Sequence, residues 1–440
     1  MATSIVSRLT PSSIFVSRAK TLSKFVSVQA VVQVLGFASG LLLVRSLTQK
    51  EYAFFTIANS MQATMSILAD SGIGIGLSSI GGKVWQDRQR FGELINTTLR
   101  LRRYLAAIAV VIVAPLLMWL LISNGASKPY AAIITLAVLL ALNYQLLVGV
   151  LEVVPRLHSQ ISRVQKLDAM LAISRFVLLA SAYLIFLNTA VAIFASIVGI
   201  IAQYILLKHW ATDNIVLHAP INKEDKATML GIVKHQAPNA VFYCLQGQLT
   251  IWLISLFGNT QNIAEVGALS RLGMIFAIVS AVMTSIILPD FARIHSPMLL
   301  RKRYFQIISG FLLLGGGLIT AAALFPDLLL WILGSKYAHL RNELLLTMTM
   351  SAVSALIVTM WSLNGTKAWI QYSWLNIPGV ILAQIVLLLF LDISTVRGVL
   401  WFGILSLLPT FVLNATLTYR GLSVSKNLAT DERNTGQTSF

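Results

Sequence analysis

Residues 99–166 read LRLRRYLAAIAVVIVAPLLMWLLISNGASKPYAAIITLAVLLALNYQLLVGVLEVVPRLHSQISRVQK. The apolar stretches 104–123 and 130–152 are each about 20 residues long, enough to carry an α-helix across the hydrocarbon core of a bilayer. Arg100, Arg102 and Arg103 stand before the first stretch, and Arg156, Arg163 and Lys166 after the second, while only Lys128 lies between them. The segment therefore reads as a helical hairpin with both ends on one strongly basic side. Connectors that stay in the cytoplasm retain Lys and Arg, so that side is expected to be cytoplasmic.

The same pattern runs outward in both directions. A window of about 19 residues gives further candidate spans at 24–45, 52–78, 168–187, 189–208, 237–257, 264–289, 304–325, 341–363, 369–391 and 398–418, about twelve in all. Basic residues crowd alternate connectors: Arg18 and Lys20; Lys83, Arg88 and Arg90; Lys223, Lys226 and Lys234; Arg301, Lys302 and Arg303; Arg420 and Lys426. The opposite side holds only Arg45, Lys50, Lys128, Lys336, Arg341 and Arg397. The fold class is thus an all-α polytopic, multi-pass membrane protein, with both termini expected to be cytoplasmic.

Composition excludes other classes. At 57% hydrophobic and 11% charged residues, with a mean hydropathy of +0.79, the surface must be solvated largely by lipid. The net charge of +17 is dispersed over connectors rather than gathered on one face, so it implies anionic lipid headgroups and no nucleic acid. The single Cys244 sits inside a span and implies neither a disulfide nor a thiolate metal site. No Walker A loop, His-Glu-x-x-His motif or cluster of metal-ligating residues occurs, so no cofactor is expected.

The longest hydrophilic gap falls at mid-chain. It divides the protein into a lead-in (1–23), a first six-helix half (24–208), a linker (209–235), a second six-helix half (236–420) and a disordered tail (421–440). In the linker, Lys223, Glu224, Asp225 and Lys226 read as solvated. Glu51 and Glu265 open corresponding spans, and an even number of spans per half makes the halves parallel repeats, an arrangement that commonly encloses a central substrate cavity.

The run Leu43-Val44-Arg45-Ser46-Leu47-Thr48-Gln49-Lys50-Glu51-Tyr52-Ala53, followed by Leu68-Ala69-Asp70-Ser71-Gly72, resembles the opening of bacterial polysaccharide flippases. Glu265-Val266-Gly267-Ala268-Leu269-Ser270-Arg271-Leu272 is similar to a second-half stretch of the same family. That family is the O-antigen and exopolysaccharide branch of the multidrug/oligosaccharidyl-lipid/polysaccharide exporter superfamily. Ala53 stands where the family often has Gly, and the Tyr preceding the second-half Arg is missing. The resemblance implies a non-enzymatic transporter that turns a polyprenyl-pyrophosphate-linked oligosaccharide to the outer leaflet. It also implies lipopolysaccharide or exopolysaccharide assembly, with polymerase and export machinery as partners.

Such a substrate requires cations for its pyrophosphate and a wet cavity for its sugar. Arg271 and Arg175 lie roughly 10 Å deep in their spans, where charge is costly and ordinarily faces a cavity or a partner. For Arg175, snorkelling to the interface competes with a binding role, and for Arg45 an interfacial anchor does. Asp70 is either an ion-coupling carboxylate or the partner of an Arg on a neighbouring helix. Gln29 and Gln33 on the first span, with Gln246 and Gln248 on the seventh, would line a passage for sugar hydroxyls or bond helix to helix. Two alternatives remain: an ion-coupled drug or cation antiporter of the same superfamily, and a polyprenyl-dependent glycosyltransferase or polymerase.

Overall fold

The computed structural model describes residues 11–435, save 159, 218, 277–279, 281, 282, 284–286, 295, 368 and 371, with side-chain surroundings for 28–423 except at 161, 289 and 290. The chain runs through α1 (Pro11–Ser46), α2 (Gln49–Asp70), α3 (Ile73–Val84), α4 (Arg88–Ser123), α5 (Lys128–Leu151), α6 (Val153–Leu157), α7 (Ile161–Ile185) and α8 (Thr189–Ala211). It continues through α9 (Lys223–Phe257), α10 (Thr260–Gly273), α11 (Leu288–Ala292), α12 (Pro297–Leu324), α13 (Pro326–Leu333), α14 (Arg341–Thr366), α15 (Asn376–Phe390), α16 (Val396–Ser406) and α17 (Leu408–Thr435). Among the described residues, ten helices are long and apolar enough to span a membrane, or eleven when α2 and α3 are joined as one bent span. The expected eighth span, 264–289, begins as α10, and much of its second part lies outside the described residues.

Helix starts are fixed by side-chain caps. Thr48 accepts from the backbone N–H of Glu51, Asp87 from Gln89 and Arg90, and Asn222 from Glu224 and Asp225, each satisfying donors that the first helical turn leaves unpaired. The last cap corrects the linker. Residues 223–235 are the opening turns of α9, with Glu224 and Asp225 favoured at the positive end of the helix dipole. Asp225 is buried, and Arg90 grips its carboxylate with two bonds of 2.5 and 2.7 Å. Lys223–Lys226 is therefore the start of a helix docked on α4. At the far end α17 continues to Thr435, past the expected tail boundary at 421, because no proline or glycine follows Gly421 until Gly436. The side chains of the expected lead-in, and residues 436–440, lie outside the described residues.

The connectors sort into two ends. Glu51 at the start of α2 accepts from the Tyr130 hydroxyl and from Thr189, joining the starts of α2, α5 and α8 at what we term the sparse end, where basic residues are few. Lys367 donates to the carbonyls of Ala292 and Ile294 at the opposite, basic end. Within α1–α8, α5 packs on α8, α2 on α4 and α1 on α7; within α9–α17, α14 packs on α12, α16 and α17. The two groups meet chiefly where α2 lies along α10 and α9. At their closest approach, a Cβ added to Gly267 would stand 2.3 Å from Thr56 Oγ1, so only glycine fits there.

The expected span 52–78 is broken. Ser71 (φ 36°) and Gly72 (φ 94°) adopt left-handed conformations, and α3 leaves α2 at 46°. Glycine takes that geometry without penalty, and the break follows from the Ser-Gly step.

Candidate functional site

On α7, Asp168 and Arg175 are about two turns apart and so share a face. With Arg102 of α4, Phe55 and Gln62 of α2 and Gln145 of α5, they line a cavity of about 500 Å³ among the N-terminal helices. The carboxamide of Gln62 donates to that of Gln145 at 3.2 Å. Asp70, at the end of α2, pairs with Arg102 at 3.2 Å, the helix-to-helix arrangement rather than a free carboxylate. Glu152 also lines this cavity and is held by Arg156 at 2.6 Å.

Arg271 enters from the C-terminal helices. It lies against Gly40 of α1, with its carbon centre 5.9 Å from the Phe55 ring centroid. Its Nε donates to the Tyr52 hydroxyl at 3.2 Å, which donates in turn to the carbonyl of Gly267. Phe55 thus carries Arg271 against its ring while also lining the cavity that holds Arg175. Arg175 Nε is buried with no partner, and the described donors of Arg271 go only to a phenol oxygen and the Met274 sulfur. Among the described residues, neither cation is paired with a carboxylate. Two guanidiniums, one from each group of helices, thus lie on either side of Phe55 with no carboxylate bound to either among the described residues, an arrangement that favours an anionic ligand.

The other expected site residues separate. Arg45 donates to the carbonyls of Trp331 and Ile332 at the sparse end, its guanidinium 4.9 Å from the Trp331 ring centroid; it is an anchor there and takes no part in the convergence. Gln248 accepts from Ser60 at 2.7 Å, tying α9 to α2. Gln246 exchanges two hydrogen bonds with Gln384, of 3.0 and 2.6 Å, in a second cavity of about 620 Å³ among the C-terminal helices. Gln29 and Gln33 are half-buried on α1 and line neither cavity.

Sequence reasoning missed Arg102, Glu152 and Asp168. Arg102 had been grouped with the connector charges, although its spacing of four from the buried Thr98 and Ala106 places it on the inward face of a helix already several turns long. For Asp168, the shared face with Arg175 was the available signal.

No family model and no curated protein sequence matches the chain. Solved structures do. One described as the inward-facing conformation of a multidrug resistance MATE family transporter of the MOP superfamily superposes with a TM-score of 0.66 at 15% identity, covering 90% of this chain and 96% of that one. The lipid II flippase MurJ, in an inward closed conformation, gives 0.67 at 12% identity, covering 94% and 93%. A MOP superfamily transporter from Pyrococcus furiosus, whose description notes a binding pocket of reverse polarity, gives 0.55 at 14%, covering 92% and 95%. The chain shares the fold of these structures. At these identities the likeness carries architecture and no substrate.

Proposed function

We propose that this protein is a flippase that carries a polyprenyl-pyrophosphate-linked oligosaccharide from the cytoplasmic to the outer leaflet for surface polysaccharide assembly. In this reading it lies in the bacterial inner membrane with the basic end and both termini cytoplasmic. The observation that carries the reading is that Arg271 packs on Phe55, which also lines the cavity holding Arg175, and that neither guanidinium is paired with a carboxylate among the described residues. A pyrophosphate presents several anionic oxygens that two planar guanidiniums can bind with paired hydrogen bonds. Alternating access follows from rocking α1–α8 against α9–α17 around that point, with Arg45 and Lys336 tying the two groups together at the sparse end. The lipid-flippase neighbour supports the reading at the level of architecture.

The antiporter alternative draws on Glu152 and Asp168 in the first cavity and on the MATE neighbour. The uncompensated guanidiniums count against a cationic drug, because they would repel it from the seam. Proteoliposomes loaded on one leaflet with polyprenyl diphosphate-linked glucose separate the readings. Transfer to the other leaflet is expected, and transfer of a cationic dye with no movement of the lipid-linked sugar would refute the flippase. An enzyme would instead leave cells lacking the protein unable to make the lipid-linked sugar at all.

A further inference from the structure

We infer that the cavity among the C-terminal helices is the saccharide pocket and that it selects uncharged sugars, an inference that rests on the flippase reading above. Its position connects it to the cations: Ser270 and Met274, the latter in contact with Arg271, line its wall. A sugar esterified to a pyrophosphate held at Arg271 therefore has its first ring delivered into this space. The volume of about 620 Å³ is within the range of about 300 to 1,000 Å³ occupied by small-molecule ligands.

The lining determines the chemistry. No Asp, Glu, Lys, Arg or His is among the described lining residues, whereas the first cavity carries Arg102, Glu152, Asp168 and Arg175. At membrane depth a uronate entering the second cavity would find no cation to offset its lost hydration. Hydroxyls, by contrast, are well served. A primary amide offers two donors and two lone pairs, so Gln246 and Gln384, after bonding each other, each retain capacity for a ligand. Ser406, 8% exposed, has a buried Oγ with no partner. Tyr243 adds an aromatic surface to the lining.

Gly247 provides a test that spares the fold. It lines the cavity, and a Cβ added there meets nothing within 4 Å, so a side chain can start there without disturbing the backbone and Gly247→Leu takes up pocket volume. The full-length protein in nanodiscs would be titrated with polyprenyl diphosphate, with the same lipid carrying glucose, and with it carrying glucuronic acid, two sugars that differ only in the oxidation state at C6. The glucose probe is expected to bind about tenfold more tightly than bare diphosphate, as one or two net hydrogen bonds would give, and the glucuronate probe to show no gain. Gly247→Leu should erase the gain and leave the affinity for bare diphosphate unchanged. Equal gains for the two sugars, or a gain that survives in Gly247→Leu, would overturn the inference. Failure of bare diphosphate to bind the wild type would bring down the flippase reading itself and this inference with it.

Discussion

A guanidinium buried without a counter-ion destabilises the fold that holds it, so its removal and its function leave different traces. For Arg271, whose contacts are a phenol and a thioether, replacement by Ala leaves no orphaned carboxylate. Arg271→Ala should therefore insert at wild-type abundance yet flip lipid-linked sugar roughly 10- to 100-fold more slowly, the loss expected for one charged hydrogen-bonding group. Arg271→Lys should recover part of the rate, since the charge survives and the bidentate geometry does not. Flipping rate per inserted molecule is the measurement, and wild-type specific activity in Arg271→Ala would remove the residue from the site. Arg102 behaves oppositely. Its side chain is 13% exposed and paired with Asp70, which is 38% exposed, so Asp70→Asn should lower membrane abundance modestly, water screening Asp70 while Arg102 loses its partner inside the protein. Depth marked Arg175 and Arg271 in the sequence, because apolar neighbours on both sides make each charge conspicuous, and for Arg271 the family-like stretch 265–272 added to it. Their placement on either side of Phe55 was not legible, since it depends on how α7 and α10 turn about their axes.

The same division holds for helices. Apolar length and alternating charge locate the spans, but the break between α2 and α3 is not legible there, because the four-residue spacing of Gly72 and Gly76 is equally that of a helix-packing pair. Gly76 does face α9, close to Met229. Gly72 instead turns the chain at φ 94°, where a Cβ would also lie 2.7 Å from Gln236 Cβ. Gly72→Ala should accordingly destabilise the protein by about 1 to 3 kcal/mol, read as a lower thermal midpoint in detergent, with Gly76→Ala less affected. At the sparse end two helix ends cap each other. Arg45, at the end of α1, binds carbonyls near the end of α13, and Lys336, just beyond α13, binds the carbonyls of Arg45 and Leu47 at the end of α1. Cations satisfy the unpaired carbonyls and the negative end of each helix dipole. From sequence, Arg45 and Lys336 were two isolated charges on the poorer side, and nothing local marked them as partners.

For the whole molecule these reciprocal caps form a bolt across the seam, and any cycle that exposes the Arg175–Arg271 site to the sparse end has to open it. Orientation is checked with a membrane-impermeant maleimide. Ser127→Cys and Ser335→Cys should react from outside, and Gln86→Cys and Lys223→Cys only from the cytoplasmic side; native Cys244 is 1% exposed and contributes little background. Reaction of Lys223→Cys from outside would invert the assignment of the basic end. Gly247→Cys then reports the state of the seam. With the bolt closed, it should be modified in inside-out vesicles and protected in right-side-out ones. Replacing Lys336 with Gln removes the charge that caps α1, a contribution of about 0.3 to 1 kcal/mol for a helix-end cation, and adding Arg45→Gln removes the reciprocal pair. The double variant should raise labelling of Gly247→Cys from outside by roughly 3- to 30-fold, the population shift that about 0.6 to 2 kcal/mol produces. The Arg90–Asp225 grip at the basic end serves as the opposing control. Arg90→Gln loosens α9 from α4 at the end opposite the bolt, so it should leave outside labelling unchanged. A rise in outside labelling with Arg90→Gln, or none with the bolt removed, would place the seal elsewhere than at the ends of α1 and α13.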